Sequence, residues 1–383
     1  MVLQILAALL LDALFGDPRW PTHPVVLVGR LITFYEKFFY AREDGRRRGL
    51  LFCAAVLVTV AAVVAVAITA AGFIGRWAQT ALNIYLLYAA IAFKSLKDES
   101  LPVARALASG DLERARKQVG RIVGRDTERL DAGGVTRAAV ETIAESYIDG
   151  VVSVLFWMTA GSLFGLAAVF AWLFKAASTM DSMVGYDDER YRDFGWAAAK
   201  LDDILNFIPA RLGAVIAIGA GALANMDYRR AWRIFRRDRL NHKSPNSAHG
   251  ESVFAGLLGI RLGGGAFYGG EWEARPTLGD DLREPEPNDI LRAHYIMNIS
   301  VALCAVLIFA VERRLYRWNS GFTAQTLKSY MNSSASRCRS ASTISAPIPT
   351  PWHSAGASPP TCARHWRITP TTNVLRCARS SRR

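Results

Sequence analysis

Residues 50–75 read LLFCAAVLVTVAAVVAVAITAAGFIG and contain no charged residue. A helix needs about 20 apolar residues to cross the hydrocarbon core of a bilayer, and this segment is longer than that. It therefore predicts a membrane-spanning helix. Apolar residues make up 51% of the chain and come in long runs, which indicates an integral membrane protein rather than a soluble one.

Further apolar segments lie on both sides of this one. Residues 77–93 follow directly after Arg76, so the two segments predict a membrane hairpin whose tight connection faces outside, because basic residues crowd the flanking loops. Residues 151–174, with a re-entrant turn permitted between Gly161 and Gly165, and residues 290–311 predict further embedded segments. The expected fold class is an all-α polytopic integral membrane protein, with helical cytoplasmic loops that form a composite site.

Residues 212–224 are apolar but too short to span a bilayer unless their helix starts near Asp203. Residues 1–16 form another short apolar segment, interrupted by Asp12. Because this segment lacks a basic region before it and a small-residue cleavage site after it, we interpret it as a retained membrane segment rather than a signal peptide. The following GDPRWPTHPV holds three prolines that favour an extended connection. Two roles are open for His23 in this stretch: a ligand or general base, or the structural role that a lone histidine flanked by prolines has more often.

The net charge of +13 comes mostly from the C-terminal tail. Residues 319–383 contain nine basic and no acidic residues, and the rest of the chain has 37 basic and 33 acidic residues. The global charge therefore does not support a nucleic-acid partner. We expect a membrane domain at residues 1–318 and a low-complexity basic tail that is either disordered or out of frame. The five cysteines form no CxxC pair, so neither a disulfide framework nor a zinc site is indicated.

Residues 175–211 carry seven Asp or Glu residues between two apolar segments. Acidic residues so close to a membrane are costly, and they indicate a functional site. Asp202, Asp203 and Asn206 fall within one helical turn, and Arg211 follows at the start of the next apolar run. A solvated surface helix is the alternative interpretation of such an acidic pair.

Residues 124–150 contain GRDT and then VETIAESYIDG. Glu141, Glu145 and Asp149 have the spacing i, i+4, i+8, so they share one face of a helix. This face is either a solvated acidic surface or a row of carboxylates that holds Mg²⁺, which prefers oxygen ligands and bridges substrate phosphates.

A third polar region begins at residue 241. Ser244, Asn246 and Ser247 surround Pro245 in a predicted turn whose amides and hydroxyls could bind phosphate. Glu251 follows at the start of an apolar helix, where capping is its simplest role. Together these regions suit either the handling of phosphates with Mg²⁺ or a transporter with a polar pathway.

Seven sequence blocks, taken in their order along the chain, resemble the CobD/CbiB family, the membrane-bound adenosylcobinamide-phosphate synthases of cobalamin biosynthesis. The resemblance covers residues 1–318 and rests on LLLDALFGDPRWPTHPV, GRDT, VETIAES, KAASTMDSMVGY, LDDILNFIPARL, SPN and AGLLGIRLGG. It implies ATP-dependent joining of the propionate carboxyl of (adenosyl)cobyric acid to aminopropanol or its phosphate, with an acyl phosphate as the fitting intermediate. ATP and Mg²⁺ are the implied cofactors, and other enzymes of the pathway are further expected partners.

The resemblance also implies residue roles. The expected catalytic residues are Glu141, Glu145, Lys175 and Asn206, with one of the two glutamates as base for the amine. The expected substrate- and phosphate-binding residues are Arg125, Arg211, Ser244, Asn246 and His23. The expected metal ligands are Asp181, Asp202, Asp203 and Asp149. The expected location is the inner cell membrane with a cytoplasmic site, and two alternatives stay open: an AmpE-like protein without cobamide chemistry and a corrinoid transporter.

Overall fold

In a computed structural model, the protein is helical over most of its length, and the predicted all-α class is confirmed. The structure describes residues 1–17, 20–41 and 43–314 with their side chains, and residues 315–341 as backbone only. The chain divides into two units, Met1–Asn319 and Ser320–Arg383. Side chains of the tail predicted from residue 319 lie outside the described residues, so its disorder or altered frame stays a prediction.

The helices occur in a simple order along the chain. They are α1 (Val2–Phe15), α2 (Pro24–Phe39), α3 (Gly45–Ile74), α4 (Arg76–Tyr88), α5 (Phe93–Ala108), α6 (Leu112–Val119), α7 (Ala132–Tyr147), α8 (Ser153–Ser162), α9 (Ala167–Val184), α10 (Trp196–Leu223), α11 (Tyr228–Asp238), α12 (Ser247–Leu258) and α13 (Asn288–Ala341). A π-turn at Ile148–Val152 joins α7 to α8. Short antiparallel pairs are formed by β1 (Leu262–Gly263) with β4 (Thr277–Leu278), and by β2 (Ala266–Tyr268) with β3 (Glu271–Glu273).

In the described part of the chain, four helical segments are long and apolar enough to cross a membrane. They are Gly45–Ile74, Ala132–Ser162, Trp196–Leu223 and Asn288–Arg314. These segments leave large apolar side chains exposed, among them Val58 and Val66 on α3 and Phe207 on α10. Extended apolar surface of this kind suits contact with lipid rather than water. The protein is thus a polytopic integral membrane protein, as predicted.

The second arm of the predicted membrane hairpin is shorter than a spanning helix. The chain turns at Gly75, whose φ is 155°, and α4 packs back against α3. However, α4 has 13 residues, which corresponds to about 20 Å of helix and is less than the hydrocarbon thickness. The hairpin is therefore present, and its second arm is shorter than the predicted segment 77–93 because α4 ends at Tyr88.

The acid-bearing helix and the apolar segment after it are continuous. The sequence suggested a polar region up to residue 150 and a separate membrane segment from 151, yet α7, the π-turn and α8 form one stretch of 31 residues. Its acidic residues thus lie on a helix that itself enters the apolar region. After α8 the chain reverses, and α9 packs alongside α8, as the predicted turn near Gly161 requires. A Cβ at Gly161 would stand 2.7 Å from the Cβ of Phe170, so only glycine permits this approach.

Helix α10 begins at Trp196, ahead of Asp203, and is therefore long enough to span. Pro209 lies inside it, and because proline has no N–H, the carbonyl oxygen of Leu205 loses its helical hydrogen bond. The indole Nε1 of Trp157 donates to this oxygen at 3.2 Å instead. A polar group in an apolar environment must find a partner within the protein, and α8 supplies it here.

Two close helix contacts determine where the polar groups meet. On α12, a Cβ at Gly256 would be 2.5 Å from the Cα of Ala231 on α11. A Cβ at Gly250 would be 2.6 Å from the carbonyl oxygen of Ala144 on α7. Since larger residues would separate these helices, the small residues bring α12 directly against the acidic part of α7.

Candidate active site

A polar cavity of about 380 Å³ lies between α7, α9, α12 and the loops around the short strands. Predicted site residues in its wall are Arg125, Glu141, Glu145, Asp181 and Ser244. Other residues in the wall include Thr142, Tyr186, Asn241, His242, Ser247, Glu251 and Arg275. The structure therefore brings together residues from three of the regions that the sequence singled out, as the composite-site prediction requires.

Glu141 links three segments at one edge of the cavity. Its carboxylate is nearly buried and accepts a hydrogen bond from the Arg125 guanidinium, with which it forms an ion pair. The other carboxylate oxygen accepts from the backbone N–H of Gly263 at 2.6 Å. Although burial acts in the opposite direction, the neighbouring Glu141 charge raises the pKa of Arg125 above its ordinary value. Since both oxygens of Glu141 are engaged, this residue anchors the site, and Glu145 is the freer of the two expected bases.

Glu145 and Glu251 face each other across the α7–α12 contact. Glu145 lies one turn after Glu141 and is accessible from the cavity. Glu251 is 8% exposed and interacts electrostatically with Glu141, Glu145 and the arginines. Burial, followed by repulsion from the two α7 glutamates, raises the pKa of Glu251 well above its ordinary value. The capping role expected for Glu251 is wrong, because α12 begins at Ser247 and the carboxyl group belongs to the cavity.

The aspartate of the GRDT block fixes the β2–β3 hairpin over the cavity. Asp126 accepts hydrogen bonds from the backbone N–H groups of Gly269 at 3.2 Å and Gly270 at 2.7 Å. Its own N–H donates to the carbonyl oxygen of Phe267 at 2.8 Å. Arg275, just beyond the hairpin, stacks over the ring of Tyr268 at 4.7 Å and reaches the cavity wall. No local sequence pattern points to Arg275, because its position depends on this hairpin.

The aspartates converge from α9, α10 and the π-turn. Asp202 interacts electrostatically with Asp181, Asp203 and Glu145, and Asp149 interacts with Asp202 and Asp181. Burial, followed by the Asp203 charge, raises the pKa of Asp181 to about 6. One Asp202 oxygen accepts from the amide of Asn206 at 3.0 Å, whereas its buried Oδ1 has no hydrogen-bond partner in the described structure. Asn206 also accepts from Ser153 at 2.6 Å, so the amide positions Asp202.

These acids do not form a self-sufficient metal cage. Among the described residues, no group of three or more His, Cys, Asp or Glu side chains is arranged to hold a metal ion. Mg²⁺ in phosphate-handling sites, however, is usually held by one or two carboxylates together with water and phosphate oxygens. The unpaired Asp202 oxygen next to Asp181 fits that second kind of site.

The turn predicted to bind phosphate is present, but its polar groups hold it to α10. Ser244 Oγ donates to Asp203 Oδ1 at 3.0 Å, and the Asn246 amide donates to the Asp203 carbonyl oxygen at 2.8 Å. Arg211 in turn donates to Asn246 Oδ1 at 3.3 Å. Arg211, Asn246 and Asp203 are not part of the cavity wall, so only Ser244 and Ser247 represent this turn there.

The N-terminal block forms a second polar group beside the first. His23 caps α2: its Nδ1 accepts from the N–H of Val25 at 3.4 Å, and Nε2 lies 3.4 Å from Asp17. The His23 side chain is outside the cavity wall, which supports its structural role. Lys175 on α9 interacts electrostatically with Asp12, Asp17 and Asp149, and so lies between the N-terminal group and the aspartates.

The fold and this cavity define a polytopic membrane protein with an internal site of carboxylates and arginines beside its membrane-entering helices. The chain belongs to the CobD/CbiB family: the family model described as CobD/Cbib protein matches residues 5–297. The resemblance drawn from the sequence blocks is thereby confirmed.

Individual relatives agree with the family match. The chain is 41% identical over 313 residues to the cobalamin biosynthesis protein CobD of Pelobacter propionicus, covering 81% of this chain and 95% of that protein. It is 46% identical over 282 residues to the protein of the same name from Geobacter metallireducens, covering 73% and 86%. For the Clostridium perfringens protein of that name, identity is 38% over 313 residues, covering 81% and 98%. No solved structure matches.

Proposed function

We propose that this protein acts in cobalamin biosynthesis as an ATP-dependent amide-forming ligase. It joins the propionate carboxyl of (adenosyl)cobyric acid to the amine of aminopropanol or aminopropanol phosphate, and the product is (adenosyl)cobinamide or its phosphate. Membership in the CobD/CbiB family supports the pathway. The observation that carries the reaction class is the meeting of Arg125 and Arg275 with Glu145, Glu251 and Asp181 in one cavity.

The chemistry requires two displacements. A carboxylate does not react with an amine until it is activated, so the substrate carboxylate first attacks the γ-phosphorus of ATP and ADP leaves. The amine nitrogen then attacks the acyl carbon of this acyl phosphate, inorganic phosphate leaves, and the amine loses a proton. Holding both reactants in one cavity makes the second step effectively intramolecular.

We assign these steps to cavity residues according to the charge and the accessibility of each side chain. Arg275 has its guanidinium near the cavity and is the arginine best placed to stabilise transferring phosphoryl oxygens, because Arg125 is already paired with Glu141. Glu145 lines the cavity, and we assign to it the acceptance of the amine proton. Asp181 and Asp202, with Asp149 and Asp203 nearby, would hold Mg²⁺, and the bound ion would supply neutralisation of phosphate charge.

The size of the cavity restricts what enters it. Sites for drug-sized ligands measure roughly 300–1,000 Å³, and this cavity of about 380 Å³ is at the lower end of that range. A corrinoid is much larger than such a ligand. We therefore expect only the propionate arm, the amine and the phosphates to enter, while the ring stays outside.

The test is synthesis of cobinamide by membranes that contain the full chain. The membranes receive cobyric acid, aminopropanol phosphate and Mg-ATP, and product and ADP are quantified. We expect equal amounts of both, and at least about a hundredfold loss of rate in Glu145→Gln and Asp181→Asn. Asp187→Asn, an exposed carboxylate close to Asp181 in sequence, is the matched control and should retain the native rate.

Two results would reject the ligase. One is the absence of cobinamide under conditions in which membranes with the Geobacter metallireducens relative make it. The other is uptake of corrinoid into sealed vesicles without ADP formation, as a transporter would show.

A further inference from the structure

Two arginines and a buried histidine meet outside the cavity, next to the turn at residues 244–247. Arg211 donates to the carbonyl oxygen of Phe207 at 2.6 Å and stacks over the Phe207 ring at 3.5 Å. Arg239, at the end of α11, donates to the carbonyl oxygen of Arg236 at 2.9 Å. Both arginine residues are only partly exposed, and their charges repel each other. Arg239 lies over the ring of Phe235 at 5.6 Å, on the side of α11 that packs against α12.

In the described part of the chain, the hydrogen-bond partners of both arginines are uncharged oxygens. Partly buried cations normally pair with a carboxylate or another anion, because desolvating a charge without compensation is costly. Two such cations that repel each other are more costly still. The arrangement therefore has positive charge and N–H donors in excess of acceptors.

His249 on α12 completes this group. The side chain is fully buried, and its ring meets that of Phe235 edge-on at 5.6 Å. The backbone of Asn246 is the one hydrogen-bonding group close to the ring in the described structure, and neither ring nitrogen reaches a partner at full hydrogen-bond geometry. Burial, followed by the charges of Arg211 and Arg239, lowers the pKa of His249 to about 4. At neutral pH the imidazole is therefore uncharged and offers one N–H donor. A buried imidazole beside two guanidinium groups and without an acidic partner cannot offset their charge.

The surroundings are those of a membrane boundary. Phe207, Ile208 and Leu212 on α10 are large, apolar and exposed, and α10 is a candidate membrane span. Trp232 on α11 and Leu240 just after this helix are exposed as well, among several arginines. An aromatic residue with arginines on an amphipathic helix is typical of the zone of lipid headgroups.

We propose that Arg211 and Arg239, with the buried His249 packed beneath them, form a phosphate-binding site at the membrane surface, separate from the cavity. Its ligand is a phosphate group with two guanidinium partners, which match phosphate oxygens in geometry and charge. An anionic phospholipid headgroup and a free phosphate both present this chemistry. The site does not depend on the ligase proposal, because none of these three side chains lines the cavity.

The test measures binding to the full chain in a neutral detergent. Short-chain phosphatidylglycerol and inorganic phosphate are titrated separately, and binding is followed by calorimetry and by the melting temperature. We expect saturable binding of at least one probe and a roughly tenfold weaker affinity in Arg239→Gln and in Arg211→Gln, since each removes charge-assisted hydrogen bonds. Arg233→Gln, which removes an exposed arginine from the same helix, is the control and should bind as the native protein does.

The two probes distinguish the sources. Binding of phosphatidylglycerol alone supports a lipid headgroup, and binding of inorganic phosphate, with or without the lipid, supports a site open to free phosphate. If Arg211→Gln fails to fold because its contacts with Phe207 and Asn246 are lost, Arg239→Gln decides alone. The proposal is overturned if neither probe binds saturably, or if Arg239→Gln binds as tightly as Arg233→Gln.

Discussion

The ion pair between Arg125 and Glu141 offers a stringent test of the site's electrostatics. We consider Arg125→Gln, which removes the cation and leaves the Glu141 carboxylate in place. The two side chains are only 16% and 7% exposed. The carboxylate would then lie unpaired beside Glu145 and Glu251, with only the amide of Gly263 as a close partner.

The expected loss follows from burial and distance. Opposite charges about 4 Å apart attract by about 4 kcal/mol at the effective dielectric constant of a partly buried site. Arg125 no longer has to be desolvated in the variant, and cavity water compensates part of the remaining charge. We therefore expect the free energy of unfolding to fall by about 3 kcal/mol, within the range known for broken buried pairs.

The assay compares the native protein, Arg125→Gln and a double variant by reversible unfolding in mixed detergent micelles. Glu141→Gln in the Arg125→Gln background removes the uncompensated charge while the side-chain oxygen still accepts from Gly263. The double variant should therefore recover to within about 1 kcal/mol of the native protein. Arg121→Gln is the matched control, since its ion pair with Glu99 is exposed and should contribute less than about 1 kcal/mol.

The reasoning is refuted if the double variant is as unstable as Arg125→Gln. That result would mean that the arginine contributes through packing or through another contact, not through compensation of the Glu141 charge. A loss in Arg121→Gln equal to that in Arg125→Gln would also contradict the importance of burial.

Three further predictions concern other parts of the structure. Asp126→Asn should weaken the anchoring of the β2–β3 hairpin by about 2 kcal/mol and speed its cleavage by protease, because two amides lose a charged acceptor; an unchanged cleavage rate would contradict this. Trp157→Phe should cost about 1 kcal/mol in micelle unfolding, and Pro209→Ala in the same chain should restore it by returning a helical N–H to the Leu205 carbonyl; a lack of rescue would show that the indole acts by packing. In the ligand-free protein, the free energy of unfolding should fall as pH drops from about 6.5 to 4, because His249 binds a proton in the unfolded chain but stays uncharged in the folded one. In His249→Gln this fall should be smaller by up to about 3 kcal/mol. An identical pH profile in the two proteins would refute the effect.

Part of the site was predictable because it depends on neighbouring residues of one helix. Glu141 and Glu145 are four residues apart, and helical geometry alone places them on one face. Asp202 and Asn206 have the same spacing, and the structure joins them by a hydrogen bond. For Glu251, the local rule that acids cap helices gave the wrong answer, because burial beside α7 depends on a contact that its own helix does not encode.

The sequence by itself determined the membrane class, the spans at residues 50–75 and 290–311, and the family. Uncharged length decides whether a segment such as Gly45–Ile74 can cross a bilayer, and that information is local. Only the tertiary structure decided which acids share a cavity, that Arg275 joins them, and that Arg211 lies outside it. These outcomes depend on the close approach of α12 to α7 at Gly250 and on the hairpin held by Asp126, which are contacts between residues far apart in the chain. Periodicity assigns a side chain to a face of its helix, but packing decides what that face meets.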